Sequence, residues 1–259
     1  MASSAVAIMA ESAPSDYYVR RRTGLLRTFD RVGKRIERTL RDKHGRADAA
    51  DIVAETRSEF DRLLPELPYI GGARNIFTWV IVVNGWFVGL HRALARRGEN
   101  PEQAVEVAVE VSDEMFRSVP AAILRAVGRL SFTGPARALL RAQAKRSQRR
   151  AHPQDFVYEF REGGEDDWAL VFDECAVNKF YDAQGTEELK PYCNFFDVTY
   201  SRLMGMGVDA RETIGLGCDT CSLRYKHGRA TPTPARLKDV FDGLAPLPEA
   251  VAHGDDDRG

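Results

Sequence analysis

The spacing of apolar residues changes once along the chain, at Pro153, and this change sets the class of fold. Before Pro153, apolar residues recur every three or four positions, which indicates amphipathic helices. After it, residues 156–160 alternate as in a strand, a Gly-Gly turn follows at residue 163, and residues 168–172 run back, which predicts a β-hairpin. We therefore predict an α+β fold, in which a helical N-terminal layer packs on a small antiparallel sheet with cysteine-bearing helices.

Start and stop signals divide the part before Pro153 into five to six helices. The first of these helices should end at His44-Gly45, and Asn100-Pro101 should begin another, with Gln103 placed to complete a capping box. The run Ile76–Leu90 is the most apolar segment, but its length of about fifteen residues is short of the ~20 that a membrane span needs. It predicts a buried helix at the centre of the helical layer.

Composition and charge indicate how the chain divides into regions and which partners and compartment to expect. We expect a disordered leader over 1–16, a helical part over 17–150, an α+β cysteine-containing part of the same domain over 151–230, and a Pro-rich, acidic tail over 231–259. A formal net charge of −1 gives no reason to expect a nucleic acid or a membrane as partner. Four cysteines and no secretory signal predict a cytoplasmic protein with reduced thiols, and the oligomeric state stays open.

All four cysteines lie between residues 171 and 225, and two of them have neighbours that suit catalysis. Asp173 should cap a helix with Cys175 in its first turn, where free N–H groups lower a thiol pKa. Cys193 and Asp197 are one helical turn apart and should share a face. A thiol beside a carboxylate suits hydrolysis of an amidine-like carbon, because the thiolate or an activated water attacks while the carboxylate handles protons.

Other interpretations of these residues stay open. The pair Cys218-x-x-Cys221 could be half of a zinc site completed by Cys175 and Cys193, a redox dithiol, or two thiols packed under a hairpin that joins strands at 211–214 and 222–225. His227 follows the last predicted strand and could act as a base near the cysteines or lie in an exposed turn.

Three runs of this C-terminal region resemble the L-2-amino-thiazoline-4-carboxylic acid hydrolase family. They are Phe172–Tyr181 (FDECAVNKFY), Leu189–Asp197 (LKPYCNFFD) and Gly217–Tyr225 (GCDTCSLRY). The helical front is similar too, at Leu67–Gly72 and Arg97–Ala104. The resemblance covers roughly residues 20–228, and its specific part is 172–225.

The resemblance implies a cofactor-free hydrolase that opens a small five-membered thiazoline ring at its C=N carbon and gives a carbamoyl-cysteine. Cleavage of a C–N bond and cleavage of a C–S bond both stay open at this point. Four residues match the family pattern and are the expected catalytic residues: Cys175, Cys193, Asp197 and Cys221. His227 is added to them because it follows the last predicted strand. Arg224 is the expected carboxylate anchor, with Asn178 and Tyr181 as further substrate-binding residues. Cys218 looks like an addition to the family pattern.

Two alternative functions accompany this expectation. The C-terminal half is also faintly similar to 4-vinyl-reductase-type ligand-binding domains, in which cysteines can hold zinc. That similarity supports a non-catalytic or zinc-stabilised module that binds a small ligand, with Cys175, Cys193, Cys218 and Cys221 as the ligands of Zn. The second alternative is a related biosynthetic enzyme that acts on a different small amino-acid-derived substrate.

Overall fold

The computed structural model describes residues 16–247, so residues 1–15 of the predicted leader and residues 248–259 of the predicted tail lie outside the described part. The fold is α+β, as predicted: helices come first, and a four-stranded antiparallel sheet with further helices follows. The helices are α1 Asp16–Val19, α2 Arg22–Leu63, α3 Thr78–Ala95, α4 Pro101–Arg117, α5 Ala121–Leu130, α6 Gly134–Ser147, α7 Ala176–Gln184, α8 Phe195–Met204 and α9 Lys238–Asp242. The strands are β1 Val157–Glu162, β2 Asp167–Glu174, β3 Asp209–Glu212 and β4 Cys221–Lys226.

Helix α3 is the buried helix that its sequence predicts, and it packs along α2. Gly89 makes this approach possible, because a Cβ there would lie 3.0 Å from the carbonyl oxygen of Thr56. Helix α2 is interrupted at Gly45, whose φ of 76° and ψ of 166° lie outside the helical region, and a second arm continues directly. Within residues 16–247, no helix combines the length and apolarity that crossing a membrane requires.

Helix α4 begins with the predicted capping box. The Asn100 side chain accepts a hydrogen bond from the backbone N–H of Gln103 at 3.1 Å, and the Gln103 side chain accepts one from the backbone N–H of Asn100 at 2.8 Å. These bonds satisfy two donors that a helix start otherwise leaves free. The start of α4 is therefore fixed locally, and the helix packs on α2, α3 and α8.

The sheet has the strand order β1-β2-β4-β3. Phe172 of β2 is paired with Cys221 of β4, and Leu170 is paired with Leu223. These four side chains are buried. Because side chains alternate between the faces of a strand, Cys221 and Leu223 share the face that packs on the helical layer. Cys221 therefore lies beside the end of β2, close to where the chain enters α7.

Two local predictions around this sheet were wrong. Strand β2 stays paired with β1 as far as Glu174, so the exposed Asp173 belongs to the strand and does not cap α7. Cys175 itself occupies the N-cap position, with the extended dihedrals φ −111° and ψ 115°. The strand predicted over 211–214 is displaced toward the N-terminus as β3, and Ile214–Leu216 forms a 3₁₀ turn instead.

The helical part and the cysteine-containing part share one buried core. Phe87 of α3 packs against Phe195 of α8, with ring centroids 5.2 Å apart. Phe77, just before α3, packs against Phe156 and Phe172 of the hairpin region at 5.1 and 5.9 Å. In the region predicted as the tail, α9 and the turn before it are anchored by buried side chains, Leu237 and Phe241.

Candidate active site

A cavity of about 70 Å³, partly open to solvent, lies between the start of α3, the hairpin, the start of α7 and the start of α8. Its apolar walls are Phe77, Val80, Phe156, Phe172, Val177 and Leu223. Its polar lining is Cys175, Cys193, Asn194, Asp197, Thr213 and Cys221. The structure thus brings together four of the predicted catalytic residues, which lie up to 46 positions apart in the sequence.

Cys175 has the environment of a thiolate. The Cys221 thiol, placed to donate a hydrogen bond to the Cys175 sulfur, is the largest influence that lowers the pKa of Cys175. The backbone N–H groups of Asn178 and Val177, at the open start of α7, lower this pKa further. Burial and the nearby Asp197 act in the opposite direction, and the pKa of Cys175 remains below its ordinary value.

The other two thiols of the cavity are held in the protonated form. The Cys221 sulfur accepts a hydrogen bond from the backbone N–H of Ile214 at 3.2 Å, and the pKa of Cys221 is raised because its own proton is shared with Cys175 and because it is buried. Burial, the Cys175 charge and Asp197 together raise the pKa of Cys193. One thiolate supported by neutral thiols is therefore the state that this cluster favours.

Asp197, in the first turn of α8, supplies a carboxyl that can exchange a proton near neutral pH. Burial raises the pKa of Asp197 from 3.8 to about 6, although the Tyr200 hydroxyl, which donates a hydrogen bond to its Oδ1 atom at 3.0 Å, partly offsets this. The Tyr200 hydroxyl is in turn 2.6 Å from the Tyr225 hydroxyl. A carboxyl with this pKa suits a general acid and base.

Sequence reasoning missed two polar residues of the cavity, Asn194 and Thr213. Asn194 is 3% exposed, and its Nδ2 atom donates a hydrogen bond to the carbonyl oxygen of Ala210 at 2.6 Å. Its Oδ1 atom has no hydrogen-bond partner, whereas the hydroxyl of the buried Thr213 lies beside the Cys193 thiol and partly offsets the rise in the pKa of Cys193. Only the position of Asn194, between Cys193 and Asp197, could have singled it out from the sequence.

The structure does not bring Arg224 or His227 into the cavity lining. Arg224 is exposed on the opposite face of β4 from Leu223, and its Nη2 atom lies 3.0 Å from a carboxylate oxygen of Glu212. His227 follows β4 and packs against the ring of Phe132, with ring centroids 5.5 Å apart.

The two further substrate-binding candidates, on α7, also lie outside the lining of the cavity. The buried Tyr181 donates a hydrogen bond to Oδ1 of Asn84. Asn178 contributes its backbone N–H to Cys175, while its buried side-chain amide has no hydrogen-bond partner.

The four cysteines are not assembled as one set of metal ligands. All four are free, and Cys218 is exposed, outside the cavity that Cys175, Cys193 and Cys221 line. Over residues 16–247, no group of three or more His, Cys, Asp or Glu side chains has an arrangement that could hold a metal ion. The zinc alternative thus has no four-cysteine cluster in the described part of the chain.

Comparison with protein families now adds to this geometry. The sequence model of the L-2-amino-thiazoline-4-carboxylic acid hydrolase family matches residues 82–225, more than half of the chain. The chain belongs to this family. The matched region begins within α3, ends in β4 and includes every polar residue that lines the cavity. No curated protein sequence matches the chain significantly.

The family match covers some, but not all, of the runs in which the sequence resembles the family. The specific runs over 172–225 and the string Arg97–Ala104 fall within the matched region, whereas Leu67–Gly72 precedes it. The part of the cavity wall that comes from Phe77 and Val80 lies just before the match. The family relationship therefore covers the thiols and the carboxyl, but not the whole enclosure around them.

Proposed function

We propose that the protein is a thiol-dependent hydrolase that opens a small heterocycle of the 2-amino-thiazoline type at its C=N carbon. The observation that carries the proposal is the meeting of a thiol of lowered pKa, Cys175, with a carboxyl of pKa about 6, Asp197, in one cavity. Strongly perturbed acids and nucleophiles that share a cleft are typical of catalytic sites. The family to which the chain belongs is named for this class of reaction.

The first half of the reaction forms a covalent intermediate on Cys175. Its thiolate attacks the C=N carbon, and the ring nitrogen takes the displaced electron pair together with a proton from Asp197. The tetrahedral adduct then expels the ring sulfur as a thiolate. The former ring carbon is left on Cys175 as an isothiouronium group, and Asp197 is left ionised.

The second half returns the enzyme to its starting state. Water attacks the isothiouronium carbon while Asp197 takes one of its protons. The Cys175 thiolate leaves, and the remaining proton passes from the new carbamoyl group to the thiolate of the product. One water is consumed for each ring opened, and a 2-amino-thiazoline-4-carboxylate ring would give a carbamoyl-cysteine.

The remaining groups of the cavity support the nucleophile. Cys221 stabilises the Cys175 thiolate through its S–H group, and Cys193 adds a neutral thiol beside it. The chemistry uses only side chains and water, so no cofactor is required. It also needs reduced thiols, which fits a cytoplasmic setting.

Replacement of the nucleophile tests this proposal. Cys175→Ser should lower kcat/KM for ring opening on the order of 10³-fold, because catalytic groups that act as a unit fail together. The matched control is Cys218→Ser, which changes an exposed thiol outside the cavity and should leave kcat/KM unchanged. Release of the product thiol, measured with 2-amino-thiazoline with and without the 4-carboxylate, reports turnover. Wild-type rates in the Cys175→Ser variant on both rings would refute the proposal.

A further inference from the structure

The polar lining of the cavity is equipped to accept hydrogen bonds. The Asn194 amide is oriented by its donation to the Ala210 carbonyl, which leaves Oδ1 as a buried acceptor without a partner. The Asp197 carboxyl and the Thr213 hydroxyl line the same cavity. A buried acceptor without a partner costs free energy until a ligand supplies a donor, so these groups favour a ligand that carries N–H bonds.

Within residues 16–247, the same cavity has no cationic side chain in its lining to pair with a carboxylate. None of the described residues that line it is a lysine, arginine or histidine. The two lysines on adjoining segments are engaged elsewhere, since Lys179 pairs with Glu174 and Lys190 with Asp182. Arg224 lies on the opposite face of β4, paired with Glu212.

A carboxylate in this cavity would meet charges of its own sign. Cys175 favours the thiolate, and Asp197 is ionised for part of the catalytic cycle proposed above. A carboxylate removed from water without a cationic partner is strongly disfavoured. The lining therefore discriminates against the carboxylated ring on two grounds: repulsion from its own anions and loss of hydration.

We propose that this cavity selects a neutral or cationic amidine-type ring that donates N–H bonds to Asn194 and Asp197 and carries no carboxylate. The inference rests on the proposed function for the ring chemistry, and it departs from the substrate for which the family is named. Asn194 is the residue that it adds to the site, as a determinant of specificity.

Binding can be measured separately from turnover in a Cys175→Ala variant, in which Asp197 and the loss of hydration still oppose a carboxylate without the Cys175 thiolate. The probes are 2-amino-thiazoline, 2-amino-thiazoline-4-carboxylate and the methyl ester of the latter, titrated by calorimetry. We expect the two rings without a free carboxylate to bind at least about tenfold more tightly than the carboxylated ring. In the same background, Asn194→Leu should weaken binding of 2-amino-thiazoline by about tenfold.

A cation introduced into the wall should reverse the preference. Val80 lines the cavity and is half-buried, so the ammonium group of a Val80→Lys variant can reach the space while its stem packs on the wall. We expect Val80→Lys to strengthen binding of the carboxylated ring by about tenfold relative to Val80→Met, a neutral control of similar length.

The outcomes separate this inference from the proposed function. Tighter binding of the carboxylated ring than of its methyl ester would overturn the inference, and so would the absence of binding by all three rings. Binding of 2-amino-thiazoline as expected, with no turnover by the unaltered enzyme, would support the inference while refuting the proposed reaction. Turnover of the carboxylated ring in preference to the uncharged ester would do the reverse.

Discussion

The free energy of unfolding of the wild-type protein should fall as pH rises, because the buried Asp197 carboxyl becomes ionised. Replacing Asp197 with asparagine should remove this pH dependence. The pKa of Asp197 is raised by burial to about 6 in the folded protein, against an ordinary value of 3.8. The carboxyl is therefore protonated at low pH in the folded state, and folding must pay for burying its charge at higher pH. The protonated Asp197 carboxyl therefore stabilises the folded state fully below about pH 3.8, its pKa in the unfolded chain. This stabilisation is lost as pH rises through about 6.

The size of the effect follows from the two pKa values. At about 1.36 kcal/mol per pKa unit, a rise from 3.8 to about 6 corresponds to about 3 kcal/mol in total, of which about 1.4 kcal/mol falls between pH 5 and pH 8. Because Asp197 lines a cavity and keeps some contact with solvent, these figures are upper limits. Asparagine retains an oxygen that can accept the hydrogen bond from the Tyr200 hydroxyl.

Urea unfolding followed by circular dichroism between pH 5 and pH 8 measures this difference. The free energy of unfolding of the wild type should fall relative to that of Asp197→Asn by up to about 1.4 kcal/mol as pH rises over this range. Asp219→Asn, which removes an exposed carboxyl near Cys221, is the control and should follow the wild type. A constant difference between wild type and Asp197→Asn at every pH would refute the raised pKa and, with it, the role that we propose for Asp197 as general acid and base near neutral pH.

Two further predictions concern the support of the site and its independence of metal. Gly215→Ala should destabilise the fold by about 1–3 kcal/mol and perturb Cys193, because the added Cβ would lie 2.1 Å from the Lys190 carbonyl oxygen and 3.3 Å from the Cys193 sulfur. Gly24→Ala, where a Cβ meets nothing within 4 Å, is the matched control for thermal unfolding, and equal melting temperatures for the two variants would contradict the prediction. Treatment with a chelator should leave both unfolding and ring opening unchanged, since the proposed chemistry uses side chains and water alone. Stoichiometric zinc in the purified protein, with loss of folding on chelation, would instead support a zinc-stabilised module.

The start of a helix can be predicted from the sequence where residues a few positions apart determine it. The capping box at Asn100 and Gln103 uses residues three positions apart and forms as expected. Cys193 and Asp197, four positions apart, line the same cavity, although Cys193 ends the 3₁₀ turn before α8 and Asp197 lies in the first turn of α8. The position of Asp173 cannot be predicted in this way. Whether it belongs to β2 or caps α7 depends on how far β2 pairs with β1, and this is set by the partner strand.

The contents of the cavity were harder to predict, because they depend on register and on distant partners. Once Leu223 faces the cavity, its neighbour Arg224 must face away, but no local signal states which of the two points inward. Asn194 becomes a free acceptor only because the Ala210 carbonyl, sixteen positions away, fixes its amide. The lowered pKa of Cys175 likewise depends on Cys221, which the sheet places beside Cys175 although the two are 46 positions apart in the sequence.

The pH dependence of Cys175 alkylation tests the central claim most directly, that Cys175 is an ionised nucleophile inside the cavity. The protein is treated briefly with iodoacetamide across a range of pH, and mass spectrometry of its peptides gives the rate at each cysteine. The rate at Cys175 should reach half of its maximum below about pH 8.5, the ordinary pKa of a cysteine, and Cys221→Ala should move this midpoint to higher pH. A Cys175 midpoint at or above 8.5, unmoved by Cys221→Ala, would contradict the account.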